Sequence, residues 1–327
     1  MNTSSCEVDS LDLDNLSPGM HRLWLAMLHD GLGRSVRLPV IVVKGERTGP
    51  VVGLTAAVHG NEVNGVHTIH RLVHNLDPSR LSGTVVGVPV VNVGGFLLHQ
   101  RRTDDGSDLN HLFPGKANGR EPEVLAYRIT ERVIRHFDVL LDLHTASFGR
   151  VNCLYIRADM TDPKTARMAR FHRPDIIVHN APADGTLRGC AASMGIPAIT
   201  VEIGSPHRFQ KEYIKQTRKG LRAVLADWGM VPRRAVKESS DTILCRRSAW
   251  MYTDYGGLLE VLPRVTQRVK MGDDVAVIRD VFGDEKRRYT APFDGIIIGH
   301  SINPVANTGA RILHLGEVAD DDEFGDI

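Results

Sequence analysis

Three side chains of this sequence have the types and spacing to hold one divalent metal ion: His59, Glu62 and His144. The first two stand in His59-Gly60-Asn61-Glu62, after the apolar run Val51 to Val58 and before the helical pattern Val63, Val66, Ile69, Val73, Leu76. A His and a Glu three apart at a strand-to-helix junction can both turn toward one point. Catalytic zinc sites commonly take three protein ligands and leave one position open for water, and His144 beyond a later strand would be the third. Alone, the His59–Glu62 pair is equally the polar start of a helix, with Glu62 favoured by the macrodipole. Gly60 reads as the residue that lets the chain turn behind His59.

His144 comes in Asp142-Leu143-His144-Thr145. Two residues apart in a strand, Asp142 and His144 point to the same face, at the C-terminal end where open α/β sheets gather their ligands. A buried Asp there is costly unless paired, so Asp142 reads as a partner that orients His144. Glu202 lies near the end of the β-branched run Ile199-Thr200-Val201-Glu202-Ile203-Gly204. A carboxylate beside a metal-activated water can accept its proton and later hand one to a leaving amine.

The elements that must position these groups alternate. Strands are expected over 35–43, 51–58, 84–91 and 139–143, and helices over 62–76 and 121–137, the latter with Pro122 in its first turn. Between Asn92 and Arg120 lies a long Gly-, Asp- and Asn-rich loop, of a length usually reserved for function or disorder. Residues 1 to about 34 read as a lead-in. Apolar strands alternating with helices predict an α/β layer fold with a mixed sheet. Around 232–240 the chain turns polar, like a linker. Beyond it, short apolar pieces separated by Gly and Asp predict a small all-β domain. The expected division is 1–235 for catalysis and 240–327 for the β domain.

Bulk properties narrow the function classes. Lys+Arg of 40 against Asp+Glu of 39 leaves a net charge of +1, which asks for neither nucleic acid nor an acidic membrane. Hydrophobic residues at 42% of 327 are enough for a sizeable core. Cys6, Cys153, Cys190 and Cys245 show no zinc-knuckle or CxxC spacing and read as reduced thiols of a cytoplasmic protein. The acidic N-terminus has no apolar core of a signal peptide, and no apolar stretch reaches the ~20 residues a membrane span needs. No P-loop, dinucleotide fingerprint or nucleophile elbow is present. His67, His70 and His74 flank the apolar face of one helix and read as solvated.

The motif order HxxE, D-L-N-x-x-F-P-G, D-L-H and V-E-I-G resembles that of the aspartoacylase and succinylglutamate desuccinylase family, within the zinc carboxypeptidase-like hydrolases. The resemblance covers roughly residues 50 to 230, and a following β domain is also typical. It implies a zinc carboxypeptidase-like catalytic domain with a small barrel-sandwich-like C-terminal domain walling the channel. It implies one Zn2+ on His59, Glu62 and His144, with Glu202 as catalytic base and acid. Asp108 would orient His59, and Asn110 would contact a substrate carboxylate. One of Arg101 and Arg102 would polarise the scissile carbonyl, with Arg102 preferred and Arg101 left beside the substrate. Arg188 would meet an anionic acyl group. The family usually reads D-L-N-R where this chain reads Asp108-Leu109-Asn110-His111. The imidazole of His111 cannot form the two-pronged grip of an arginine on a carboxylate. Either another arginine supplies the clamp, or the substrate lacks a carboxylate there, or His111 donates a single bond to it.

These observations lead to a zinc amidohydrolase that cleaves the acyl amide of a small N-acylated amino acid or related amine. A carboxypeptidase acting on peptides or modified C-termini, and a zinc-binding protein without catalysis, are the alternatives. The expected partner is a small molecule, with no nucleic acid and no membrane. The sequence leaves the oligomeric state open, a homo-oligomer included.

Overall fold

The computed structural model describes residues 5–182, 185–233, 241–320 and 323–324. Four parallel strands form its centre, in the order Ser82–Val88, Arg47–Ala56, Val139–His144 and Ala198–Ile203. Val139–His144 is buried along its whole length, as a parallel strand covered on both faces must be. Leu154–Ala158 and Ile176–His179 extend the sheet beside Ala198–Ile203, the first antiparallel to it and the second parallel to the first. The sheet is therefore mixed, as the alternation of elements predicts.

Two apolar layers hold helices on either face. On one, Val66, Ile69 and Val73 of the helix Asn64–Val73 and Leu221 and Val224 of Lys211–Asp227 pack on Leu54, Leu141, Leu143 and Val201. On the other, Ala126 and Ile129 of Glu121–Arg132 and Leu187 and Ala191 of Leu187–Ser193 pack on Val86, Val88, Leu140 and Ala198. Leu140 and Leu141 face opposite layers because side chains alternate along a strand. Each fully buried Leu, Ile or Val in these layers is worth roughly 1.5–3 kcal/mol.

Four expectations need correction. Residues before 35 are more than a lead-in: Gly19–His29 pairs antiparallel with Ser35–Lys44 and widens the sheet. Leu23, Leu25 and Met27 carry the period-2 signal, and Leu25 and Met27 are fully buried. The first helix begins at Asn64, so Glu62 lies in the turn before it. The second ends at Arg132 and gives way to a single 3-10 turn, Ile134–His136. The long loop 92–120 contains a short helix, Val93–Leu97, and a 3-10 turn, Leu109–Leu112.

The C-terminal part is all β among the described residues. Its strand Ile243–Tyr252 pairs parallel with Ile176–His179, so the main sheet runs on into it through Arg311–Val318 and Gly295–Ser301. A second sheet of four strands faces this extension across a small core of Leu259, Val275, Ile278, Ile297, Ile312 and Leu313. The short strand Arg150–Asn152 pairs with Gly295–Ser301 and ties the two parts together beside the site. Most of the linker expected over 232–240, and the boundary at 235–240, lies outside the described residues. Cys6, Cys153, Cys190 and Cys245 are all free, the last three buried. Among the described residues no helix is long and apolar enough to cross a membrane.

Candidate active site

The C-terminal ends of the parallel strands bring the chemistry-bearing groups together. Ladder pairing sets Glu202 opposite His144 and Thr55 opposite Asp142. His59 follows the strand Arg47–Ala56 through Ala57, whose φ of 48° is a left-handed conformation uncommon outside glycine. Gly60 is needed for a different reason from the expected turn: a Cβ there would stand 2.0 Å from the backbone of Gly95. The glycine lets the loop helix Val93–Leu97 close over the motif.

His59, Glu62 and His144 are all buried, and their ligand atoms lie within 4.8 Å of one another. The Nδ1 of His59 is 2.9 Å from one Glu62 oxygen, and the Nδ1 of His144 is 3.0 Å from the other. The two Nδ1 atoms are 3.2 Å apart. Each ring's opposite nitrogen meets a carboxylate: His59 Nε2 reaches Asp108 at 3.1 Å and His144 Nε2 reaches Asp142 at 2.7 Å. Such contacts favour a proton on each Nε2 and an Nδ1 lone pair directed at Glu62, which is how outer carboxylates orient histidine ligands. Asp142 in turn accepts from the Thr55 hydroxyl at 2.7 Å. Glu62 also accepts from the Thr145 amide at 3.0 Å and the Ser147 hydroxyl at 2.9 Å.

Electrostatics follow this geometry. Burial alone would raise Glu62, but His59 and His144 hold its carboxyl well below the usual range. Burial alone would lower His144, but Asp142 and Glu62 hold its imidazole well above its usual value. Asp108 behaves like Glu62: burial opposes ionisation, and His59 and Arg101 win by holding it low. A proton or a metal ion placed among the two Nδ1 atoms and the Glu62 carboxylate satisfies all of them, and all of these donor atoms face one point. The donor set therefore fits a metal ion, and His59, Glu62 and His144 are the residues that could hold one.

Glu202 is mostly buried. One of its oxygens has no hydrogen-bond partner, and the other stands 4.0 Å from Arg157 Nε. Burial raises its pKa, with His144 pulling the other way. It lines a cavity of about 300 Å³ together with His59, Glu62 and His144.

The other expected residues separate into two groups. Arg101, Asn110 and His111 line the cavity. Arg101 reaches Asp108 at 2.9 Å and Glu62 at 3.2 Å and also donates to Ser147. Asn110 accepts from the Leu187 amide at 3.0 Å. His111 is exposed at the rim. Arg102 and Arg188 are not among the lining residues. Arg102 turns to the surface and donates to the Gly106 carbonyl, so the preference for it over Arg101 is reversed by placement. Consecutive residues leave the backbone in different directions, and Asp108 captures only the first. Arg188 is fully buried and holds Asn180 through its carbonyl at 3.0 Å and its side-chain oxygen at 2.9 Å. It therefore sits behind a lining residue, Asn180, and outside the cavity itself.

Sequence reasoning missed Ser147, Arg150, Arg157, Trp250 and Arg311, all of which line the cavity. Ser147 had a local signal, three residues after His144. Arg150 and Arg157 follow on the next two strands without a motif to mark them, and Trp250 and Arg311 come from strands far along the chain that no spacing could have joined to the site.

A family model of the succinylglutamate desuccinylase/aspartoacylase catalytic domain matches residues 48–227, more than half of the chain. The chain belongs to that family, and it is an enzyme that hydrolyses amide bonds. Among its relatives is the N-alpha-acetyl-L-2,4-diaminobutyric acid deacetylase of Halomonas elongata, 26% identical over 97% of this chain and 95% of that protein. The fold is shared with the product-bound ectoine utilization protein EutE (DoeB) of Ruegeria pomeroyi, at a TM-score of 0.85 and 21% identity over 94% of this chain and 97% of the other. It is shared equally with a succinylglutamate desuccinylase/aspartoacylase of Rhodobacter sphaeroides, at 0.84 and 24% over 96% and 99%.

Proposed function

We propose that this protein is a zinc-dependent deacylase that releases a small amino acid or related amine from its N-acyl form. One observation carries the reading: a buried His-Glu-His donor set shares one cavity of about 300 Å³ with a mostly buried carboxylate, Glu202, one of whose oxygens has no hydrogen-bond partner. The name of the Halomonas relative, which aligns along almost the whole chain, supports an N-acylated amino acid. Two histidines and one glutamate with an open fourth position are a donor set of catalytic zinc. His59, Glu62 and His144 would hold the ion, which would supply Lewis acidity toward the acyl carbonyl and lower the pKa of water.

The chain's own residues do the rest. Glu202 takes the proton of the attacking water and returns one to the departing amine nitrogen. Its burial and its one unpartnered oxygen keep it basic enough for the first step and able to carry the proton to the second. Arg101, held by Asp108 beside Glu62, faces the carbonyl oxygen and stabilises the charge that develops on it. Asp108 and Asp142 fix the two imidazoles, and Asn110 and His111 contact the substrate. Residues 1–235 form a zinc carboxypeptidase-like catalytic domain, and the C-terminal β domain closes the cavity with Trp250 and Arg311. That closure favours a small substrate over a peptide. Four free thiols support a cytoplasmic setting.

The test is Glu202→Ala assayed on a panel of N-acyl amino acids and short peptides. The expected outcome is full metal content with hydrolysis down by about 10²- to 10⁴-fold. Unchanged hydrolysis would sink the mechanism, and turnover of peptides alone would replace the deacylase by a carboxypeptidase.

A further inference from the structure

The cavity has a second charged region besides the donor set. Arg150, on the short strand that ties the two parts together, and Arg311, on a C-terminal strand, both lie against the indole of Trp250. Their guanidinium carbons are 5.3 Å and 4.6 Å from the ring centroid. His314 stacks on the same indole at 4.5 Å with the rings nearly parallel, and its Nε2 is 2.7 Å from the Ser248 hydroxyl. The indole is thus held in one orientation and offers a fixed platform to both arginines. Among the described residues neither guanidinium makes a hydrogen bond or an ion pair.

The remaining charges of the cavity cannot neutralise them. Among the described residues its acidic lining is Glu62 and Glu202. Glu62 is engaged by His59, His144 and Arg101, and Glu202 is nearest to Arg157. Two guanidiniums without acceptors, in a cavity already carrying Arg101 and Arg157, make a site for an anion. Stacked arginines with free forks suit a planar carboxylate better than a cation.

We propose that Arg150 and Arg311, braced on Trp250, form the clamp for a substrate carboxylate that His111 cannot grip. This rests on the deacylase reading for the identity of the ligand as substrate, and it makes the C-terminal part a contributor to specificity. Substrates carrying a carboxylate beyond the scissile amide are then favoured. A substrate with a cationic side chain meets four arginines there.

The experiment uses the metal-loaded full chain with Arg150→Gln and Arg311→Gln, and succinate as the probe in calorimetric titration against neutral succinamide. Each variant loses charge-assisted hydrogen bonds to the carboxylate and should bind succinate about tenfold or more weakly. Succinamide binding should not change. With the best N-acyl amino acid of the panel, KM should rise by about tenfold while kcat stays within about twofold. Arg311 is exposed, so its variant keeps the test valid if Arg150→Gln fails to fold. Succinate bound equally by wild type and Arg311→Gln would overturn the clamp, as would equal losses for succinamide. If no N-acyl amino acid is hydrolysed but succinate binding still depends on the arginines, the deacylase reading falls and the clamp stands. If hydrolysis proceeds with KM unchanged in the variants, the clamp falls and the deacylase reading stands.

Discussion

The two charged regions of the cavity are built in opposite ways. The side chains of His59, Glu62 and His144 are each partnered at both polar atoms, and each imidazole is backed by a carboxylate. Around Trp250 the guanidiniums of Arg150 and Arg311 rest on an aromatic ring without acceptors of their own. A site that must keep one geometry through a reaction gains from saturated contacts. A site that must receive an anion gains from leaving its donors unfilled. The first region is supplied by adjacent parallel strands and the loops that follow them, and the second by Arg150 and by segments about 100 and 160 residues further along the chain.

Mutations should separate the regions by size and kind of effect. Arg101→Ala, in the saturated region, should lower kcat by about 10²- to 10³-fold, as loss of one oxyanion donor does. The neighbouring Arg102→Ala should change it by no more than about twofold, as an exposed substitution would. If steady-state kinetics show the reverse, the placement of Arg101 misleads. Asp142→Asn removes the carboxylate behind His144 and should weaken metal affinity or activity by about 10- to 100-fold, read by competition with a chelator. Affinity equal to wild type would mean that His144 does not depend on Asp142. The clamp variants come next, at about tenfold and confined to KM.

The smallest catalytic effect is expected far from both regions. His172 is fully buried between helices, with its Nδ1 2.9 Å from the Met168 carbonyl, and burial lowers its pKa to about 4. The unfolded chain takes up this proton near pH 6.5, and the folded chain does not until about pH 4. Its contribution is therefore complete above pH 6.5 and is lost as pH falls toward 4, by roughly 3 kcal/mol at 1.36 kcal/mol per pKa unit. Urea unfolding of wild type and His172→Leu at pH 7 and pH 4.5 checks this. The variant should lose less stability between the two, with kcat at pH 7 unaltered. An identical loss in both proteins would remove His172 as the source.

Much of the fold could be read from periodicity. The apolar strand ending in Asp142 and His144, and the strand carrying Glu202, were visible because fully buried parallel strands are apolar along their length. The strand Gly19–His29 was missed although Leu23, Leu25 and Met27 lie on one face, because Trp24 and Ala26 between them are themselves apolar and blur the alternation. The helix start at Asn64, two residues later than expected, reflects the turn that aims Glu62 at His59. The C-terminal strands looked like a separate unit, since composition cannot reveal that Ile243–Tyr252 pairs with Ile176–His179.

The sequence by itself determined the donor set. His59 and Glu62 are three residues apart, so local backbone geometry alone can bring them together, and strand alternation puts Asp142 and His144 on one face. Only the tertiary structure decided which arginine accompanies them. Arg101 and Arg102 are equivalent as letters, and the contact with Asp108 selects between them. It also decided where an anion can be held, because Arg150, Trp250 and Arg311 meet only through sheet pairing across the two parts of the chain. Chemistry carried by neighbours in the chain is legible in order and spacing, and chemistry assembled by strand registry is not.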